Sequence, residues 1–270
     1  MKFVEKVLRK AGFDNPYSEF LNFREYKKIV YADRFAEGKA PFLNSTIEYS
    51  DGIGFLHSLH EIFIDEVYKF IPKKENPIIV DCGSNIGLSI IYFKHKFPKA
   101  KIIGFEPDAR IYSILKRNIQ SFGYKDVEIY NTAIWTEETE LNFYSEGSLA
   151  GSTEINYLED NNKKYKVKTT DLKKVLSQNK VDFLKIDIEG GENTLMPDIA
   201  HSINSIPFIF LEYHGMFDHT QQLGEILNIL TESGFRYIIQ PAISKVEFPF
   251  LDSKKEGFEN QLNIFCKKEE

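Results

Sequence analysis

Cysteine is scarce in this 270-residue chain. The two that occur, Cys82 and Cys266, sit in strand-like runs with no Cys-x-x-Cys spacing. That argues against a disulfide scaffold or a structural zinc site and makes a reducing cytoplasm the expected location. Long apolar runs are missing as well, and a window such as Ile206 to Tyr213 is far too short to span a bilayer. Met1 to Gly12 mixes Lys, Arg and Glu with apolar residues and lacks the apolar core of a secretory signal. Positive charge is not in excess. At a net charge of −6, a broad basic face for nucleic acid is not expected, so neither nucleic acid nor a membrane is assigned as a partner. No internal repeat or low-complexity tract interrupts the chain.

What is present is apolar and patterned. A hydrophobic content of 42% with 14% aromatics is enough for one α/β core with an attached segment. Leu59, Ile62, Phe63, Val67, Phe70 and Ile71 recur at helical spacing and predict one striped helix ending at Pro72. Ser50 to Gly54 reads as a turn before it, and Pro41 to Tyr49 as extended. The polar connector Lys73 to Pro77 divides residues 1–76, a mainly helical extension and candidate substrate lid, from residues 77–270.

From Ile78 onward strands and helices alternate. Ile78–Cys82, Lys101–Phe105, Val127–Tyr130, Val181–Ile186, Phe208–Tyr213, Phe235–Ile239 and Gln261–Cys266 predict seven strands. The intervening amphipathic segments carry Ile86, Ile90, Phe93 and Phe97, then Ile111, Ile114, Leu115, Ile119 and Phe122, and later Leu223, Ile226, Leu227 and Leu230. Gly123 and Gly234 are read as helix stops. This pattern predicts an α/β fold, a Rossmann-like doubly wound and mostly parallel sheet with right-handed crossovers. Leu141–Tyr144 and Tyr165–Thr169 predict a strand pair inserted after the third strand. The small polar loop Gly147 to Thr153 lies between them, where Ser152 or Thr153 would meet a hydroxylated acceptor.

The first strand runs into Asp81-Cys82-Gly83-Ser84-Asn85-Ile86-Gly87. In a doubly wound sheet, ligands bind beyond the carboxyl ends of the strands. Gly83 permits a sharp turn and Gly87 a close approach to the following helix. Asn85 stands where a dinucleotide fingerprint needs its middle glycine, which counts against a nicotinamide-dependent oxidoreductase, the alternative enzyme. Glu106, closing the second strand before Pro107, is placed to accept the ribose hydroxyls of an adenosyl group. An ordinary strand-to-helix turn with Glu106 as a helix cap is the competing reading.

These residues, with Asn131-Thr132-Ala133 and above all Lys185-Ile186-Asp187-Ile188-Glu189-Gly190-Gly191-Glu192, resemble the FkbM-type methyltransferases from about Phe55 to Cys266. The resemblance implies S-adenosylmethionine as cofactor and methylation of a hydroxyl on a sugar, glycan or natural product. It also implies that Asp81, Gly83, Ser84, Asn85 and Gly87 frame the amino-acid end of that cofactor. Glu106 and Pro107 would lie at its ribose, Asn131 and Ala133 near its adenine, and Lys185, Asp187 and Glu189 close to the reacting methyl.

Transfer to a hydroxyl also requires that one proton be removed. Asp187 and Glu189 at the end of strand four, and Glu212 and His214 at the end of strand five, are the candidates. His214 qualifies because an imidazole ordinarily titrates near neutral pH, and His219 is close enough in sequence to share the role. Lys185 would share a strand face with Asp187 and Glu189, touching substrate or bridging to Glu189 or Glu212. Asp187, Glu189 and His214 are metal-competent, yet no paired Asp-Asn follows strand five, so no metal is assigned. Tyr26, Tyr31, Phe55 and Tyr68, with His57 and His60, are candidates to roof the site or to be plain core. Homodimerisation is left open, and a non-catalytic S-adenosylmethionine-binding regulator is the alternative outside enzymology.

Overall fold

Side chains alternate between two apolar layers along each central strand. Ile79, Ile102, Phe183 and Phe210 enter one layer, while Val80, Ile103, Leu184, Ile209 and Leu211 enter the other. Period-two alternation with both faces apolar is what a sheet covered on both sides demands. The computed structural model describes residues 15–145, 151–152, 164–216, 219–242, 250 and 258–269. Met1 to Gly12 and most of the Gly147–Thr153 loop lie outside them, Thr153 included.

The central sheet has seven strands: β3 (Ile78–Cys82), β4 (Lys101–Phe105), β5 (Val127–Tyr130), β10 (Phe183–Ile186), β11 (Phe208–Met216), β12 (Phe235–Pro241) and β13 (Phe258–Lys268). Their spatial order is β12-β13-β11-β10-β3-β4-β5. All pairings are parallel except those of β13, which runs antiparallel to both neighbours. The sequence pattern anticipates each of these strands. The order reverses at β3, so the crevice beyond β3, β4 and β10 is the ligand position of this architecture.

Helices cover both faces. Ahead of them in the chain come α1 (Phe23–Val30), the hairpin β1 (Gly38–Phe42) and β2 (Ser45–Tyr49), and α2 (Gly52–Leu59). These pack on one face with α3 (Leu88–Lys96) and α4 (Ala109–Phe122), and Tyr17, Ile29, Phe42, Phe55, Ile91 and Leu115 share one core there. Against the other face lie α5 (Leu172–Gln178), α6 (Glu192–Ile199) and α7 (Leu223–Glu232). Gly123 and Gly234 adopt φ of 68° and 79° at the ends of α4 and α7, the left-handed stop that glycine makes without steric cost. Among the described residues, no helix is long and apolar enough to cross a membrane.

Two expectations change. The striped helix over Leu59–Ile71 begins and ends earlier, because Asp51 caps Gly54 N–H at 3.0 Å and so turns the expected Ser50–Gly54 turn into a helix start. After α2 the chain widens into one π-turn at His60–Ile64, and Glu66 at φ 50° ends the helical run. Phe70 is buried but Ile71 is 85% exposed, so the stripe does not continue. The inserted strand pair is a larger sheet. β7 (Glu140–Ser145) pairs antiparallel with β9 (Lys164–Asp171) as expected. β6 (Ala133–Trp135) and the short β8 (Gly151–Ser152) extend it to the order β6-β9-β7-β8.

Candidate active site

Gly83 makes the first turn of the site possible. Its φ is +85°, and a Cβ there would fall 1.9 Å from the Asp187 carbonyl oxygen, so only glycine lets the tips of β3 and β10 meet. Asn85 also adopts positive φ, 46°, a conformation asparagine tolerates better than most residues. That accounts physically for an asparagine where a dinucleotide loop carries glycine. Gly87 turns at φ +91°, and a Cβ there would press on Leu115 at 2.6 Å.

Beneath this loop lies a buried charge cluster. Asp81 is fully buried, accepts the Ser89 hydroxyl at 2.6 Å through Oδ2, and faces Lys185 Nζ at 3.4 Å through Oδ1. Lys185 also donates to the Gly83 carbonyl at 2.8 Å and to Asp187 Oδ2 at 3.1 Å, and lies 6.0 Å from the Tyr68 ring centre. Burial works to lower its pKa, but Asp187, Tyr68 and Asp81 outweigh that and hold it well above the usual lysine range. Lys185 therefore bridges Asp81 and Asp187, not Glu189 or Glu212 as the sequence suggested. The correction has a physical cause: β10 ends at Ile186, and Glu189 turns away at φ 57°.

Glu106 closes β4. Each carboxylate oxygen accepts one backbone N–H at 2.9 Å, from Asn85 and from Asp108. Burial raises its pKa to about 8, with the Asp108 charge adding to the effect. Asn131 donates to the carbonyls of Glu106 at 2.8 Å and Pro107 at 3.0 Å, which pins the tips of β4 and β5 together. Ala133 is buried in β6.

The other half of the crevice is acidic. His214 is fully buried on β11. Its Nδ1 lies 3.2 Å from Glu192 Oε1, and its Nε2 lies 3.4 Å from Glu189 and 3.6 Å from Glu212. Burial opposes the charged ring, but Glu189 and Glu192 hold its pKa well above the histidine range. A ring so strongly biased to its protonated form is a poor proton acceptor at neutral pH. Glu212 is shifted well above the carboxylate range, first by burial and then by the Asp187 charge.

A cavity of about 290 Å³ joins the two halves. Gly83, Ser84, Asn85, Lys185, Asp187 and Glu189 from the expected site line it, together with Glu212, His57 and Tyr68. Asp81, Gly87 and His214 do not line it, and neither do Glu106, Pro107, Asn131 and Ala133. Tyr26 and Phe55 are core, Tyr31 is 79% exposed, and His60 packs on Tyr17. His219 is exposed and not part of the lining. Ser89, Glu61, Gln261 and the structural part played by Glu192 were missed by sequence reasoning. Glu192 carried a usable signal as an acid opening a helix just after the strand-four motif, whereas Gln261 carried none.

A family profile of the methyltransferase FkbM domain matches residues 81–237, more than half of the chain. The chain belongs to the FkbM methyltransferase family. It is thus a methyltransferase of the S-adenosylmethionine-dependent class. Methyltransferase 1 of Beauveria bassiana (strain ARSEF 2860) is 28% identical over 191 residues, covering 62% of this chain and 72% of the relative. Methyltransferase sdnD of Sordaria araneosa is 49% identical over 59 residues, covering 22% and 23% respectively. Among solved structures, precorrin-6y C5,15-methyltransferase from Geobacter metallireducens GS-15 aligns with a TM-score of 0.41 at 12% identity, over 72% of this chain and 81% of that one. At so low a likeness, the chain's own sheet order carries the fold assignment.

Proposed function

We propose that this FkbM methyltransferase transfers the methyl group of S-adenosylmethionine to a hydroxyl oxygen of a sugar, glycan or natural product. One observation carries the reading: a single cavity joins the glycine loop of β3 to an acidic cluster at the ends of β10 and β11. The residues suit that donor. Each oxygen of Glu106 keeps a lone pair for a ribose hydroxyl after taking one backbone N–H. A wall carrying Glu61, Asp187, Glu189 and Glu212 favours a cationic ligand and repels a diphosphate, which argues against the nicotinamide alternative. When bound, the donor supplies an electrophilic methyl on a positively charged sulfur.

The chain's residues divide the remaining work. Gly83, Ser84 and Asn85 shape the seat for the amino-acid end. Asp81 and Gly87 act as positioning residues, Asp81 through Ser89 and Lys185. Glu106 and Pro107 take the ribose, and Asn131 and Ala133 shape the adenine side. Asp187 stands between the two halves, where the acceptor oxygen must approach in line with the methyl. The carboxylates of Asp187 and Glu189, oriented by Lys185 and His214, take the hydroxyl proton. Residues 1–76 would serve as the lid, with His57 and Tyr68 as their contribution to the wall.

The test pairs calorimetry with a labelled-methyl assay on glycan and metabolite pools. Glu106→Ala should weaken donor binding at least tenfold, whereas Asp187→Ala should leave donor affinity within threefold and slow transfer at least a hundredfold. Donor binding without turnover on any pool would favour a regulator. Unchanged turnover in Asp187→Ala would remove that residue from the chemistry.

A further inference from the structure

Among the described residues, the carboxyl groups at the end of β11 outnumber the cations that face them. Glu189 and Glu212 face one imidazole, and Asp187 lies beside them. The nearby buried cation, Lys185, is already committed to Asp81, Asp187 and the Gly83 carbonyl. Side-chain atoms of Asp187, Glu212 and His214 lie within 4.8 Å of one another. Crowded carboxylates in a half-buried site are costly unless a cation joins them.

His214 is an independent indication. It is fully buried, and its Nε2 makes no hydrogen bond while pointing into this cluster. The state of the other nitrogen follows from Glu192. That carboxylate is buried and receives the Ile188 N–H at 3.0 Å on Oε1 and the Gly190 N–H at 2.9 Å on Oε2. Facing a carboxylate that only accepts, Nδ1 must be the donor, so a cation binding here takes the place of the proton on Nε2. An imidazole whose far nitrogen is held by a buried carboxylate is the arrangement that orients metal-ligating histidines.

We propose that Asp187, Glu212 and His214 bind one divalent cation of the Mg²⁺ or Mn²⁺ class, with Glu189 next to it. Two carboxylate oxygens and one nitrogen form a predominantly hard ligand set, which suits these ions better than soft ones. Ligand atoms on a sphere of ~2.1 Å radius lie at most ~4.2 Å apart, so the three atoms, already within 4.8 Å of one another, draw together to close on an ion. Three positions then remain for water or an acceptor oxygen. The site overlaps that of the proposed methyl transfer, and the inference rests on that reading only for what the ion does there, not for whether it binds.

Mn²⁺ alone, added to the full chain after chelator dialysis, tests this with neither donor nor acceptor present. Electron paramagnetic resonance should count one tightly bound Mn²⁺ per chain, and its pulsed form should show nitrogen coupling from one imidazole. Asp187→Asn and Glu212→Gln should each weaken binding at least tenfold, with the unfolding midpoint confirming that each variant folds. No bound Mn²⁺, bound Mn²⁺ without the nitrogen signature, or affinities unmoved by both substitutions would overturn the site. The nitrogen signature is read on the unaltered protein, so a variant that fails to fold leaves the test intact. Tight binding without methyl turnover on any pool would sink the acceptor chemistry and leave the ion site standing.

Discussion

The two halves of the crevice handle buried charge in opposite ways. Around Lys185, Asp81 is matched by a cation and a hydroxyl, and the lysine's hydrogens go to loop carbonyls and Asp187. Around His214, carboxylates outnumber the one ring they face, and Nε2 is left without a hydrogen bond. A balanced, fully buried network fixes geometry. An unbalanced one beside a cavity stores the electrostatic imbalance that chemistry uses. On the proposed reading, the half around Lys185 is scaffold first, and the half around His214 is where charge and protons would change.

The sharpest way to break this comparison is Lys185→Met. Losing the cation leaves Asp81 buried without its partner, and breaking such a pair from one side costs about 3–5 kcal/mol. Urea unfolding should show a loss of that size, with donor binding falling alongside it. A loss below ~1 kcal/mol would mean that Asp81 is not held by this lysine, and the division between scaffold and chemistry would fall.

Glu106 sharpens the same contrast through pH. Its pKa rises from an ordinary 4.5 to about 8, so the folded chain binds this proton more tightly than the unfolded one. The sign follows directly: the stabilisation is complete below pH ~4.5 and is lost as pH rises through about 8. A rise of that size corresponds to a loss of about 5 kcal/mol across that range, with the two backbone N–H donors to the anion already counted in it. Urea unfolding at pH 5, 7 and 9 should show this slope in the unaltered protein and a flatter one in Glu106→Gln. Equal slopes would place Glu106's titration elsewhere.

The strands were legible because their residues alternate and then give way to polar or turn-forming residues. Val80-Asp81-Cys82-Gly83 and Lys185-Ile186-Asp187 each put an apolar run directly before a polar tip. The loop residues were legible because φ needs glycine at 83 and 87, a demand that shows in the sequence. The N-terminal segment was harder. Phe63 and Phe70 look like one helical stripe, but Phe63 packs on Phe20 and Phe42 while Phe70 packs on Phe183 and Phe208. Those partners are set by tertiary contact rather than by period. Lys185's partner was misjudged for a similar reason: extended geometry stops at Ile186, and β3 lies nearer than the far side of the turn. Glu192 opens a helix, and its second task required knowing where β11 ends.

That second task gives the subtlest prediction. Glu192→Gln keeps the shape and one acceptor oxygen, but it can place an N–H₂ group against His214 Nδ1. The change removes one of the charges that hold the ring protonated, and a donor against Nδ1 turns that nitrogen into the acceptor and leaves the ring proton on Nε2, pointing at Glu189 and Glu212. The fold should survive, because His214 stays packed on Phe258 and α6 keeps its core residues Leu195 and Met196. Donor affinity should remain within threefold, since among the described residues Glu192 bonds to Ile188, Gly190 and His214 and not to the Lys185 network. Transfer should slow about tenfold, the size expected when a carboxylate behind a functional histidine is lost. A labelled-methyl assay beside donor calorimetry separates the outcomes. A fall in donor affinity as large as the fall in rate would show that the two halves are one network, and an unchanged rate would show that the tautomer of His214 does not matter to the reaction.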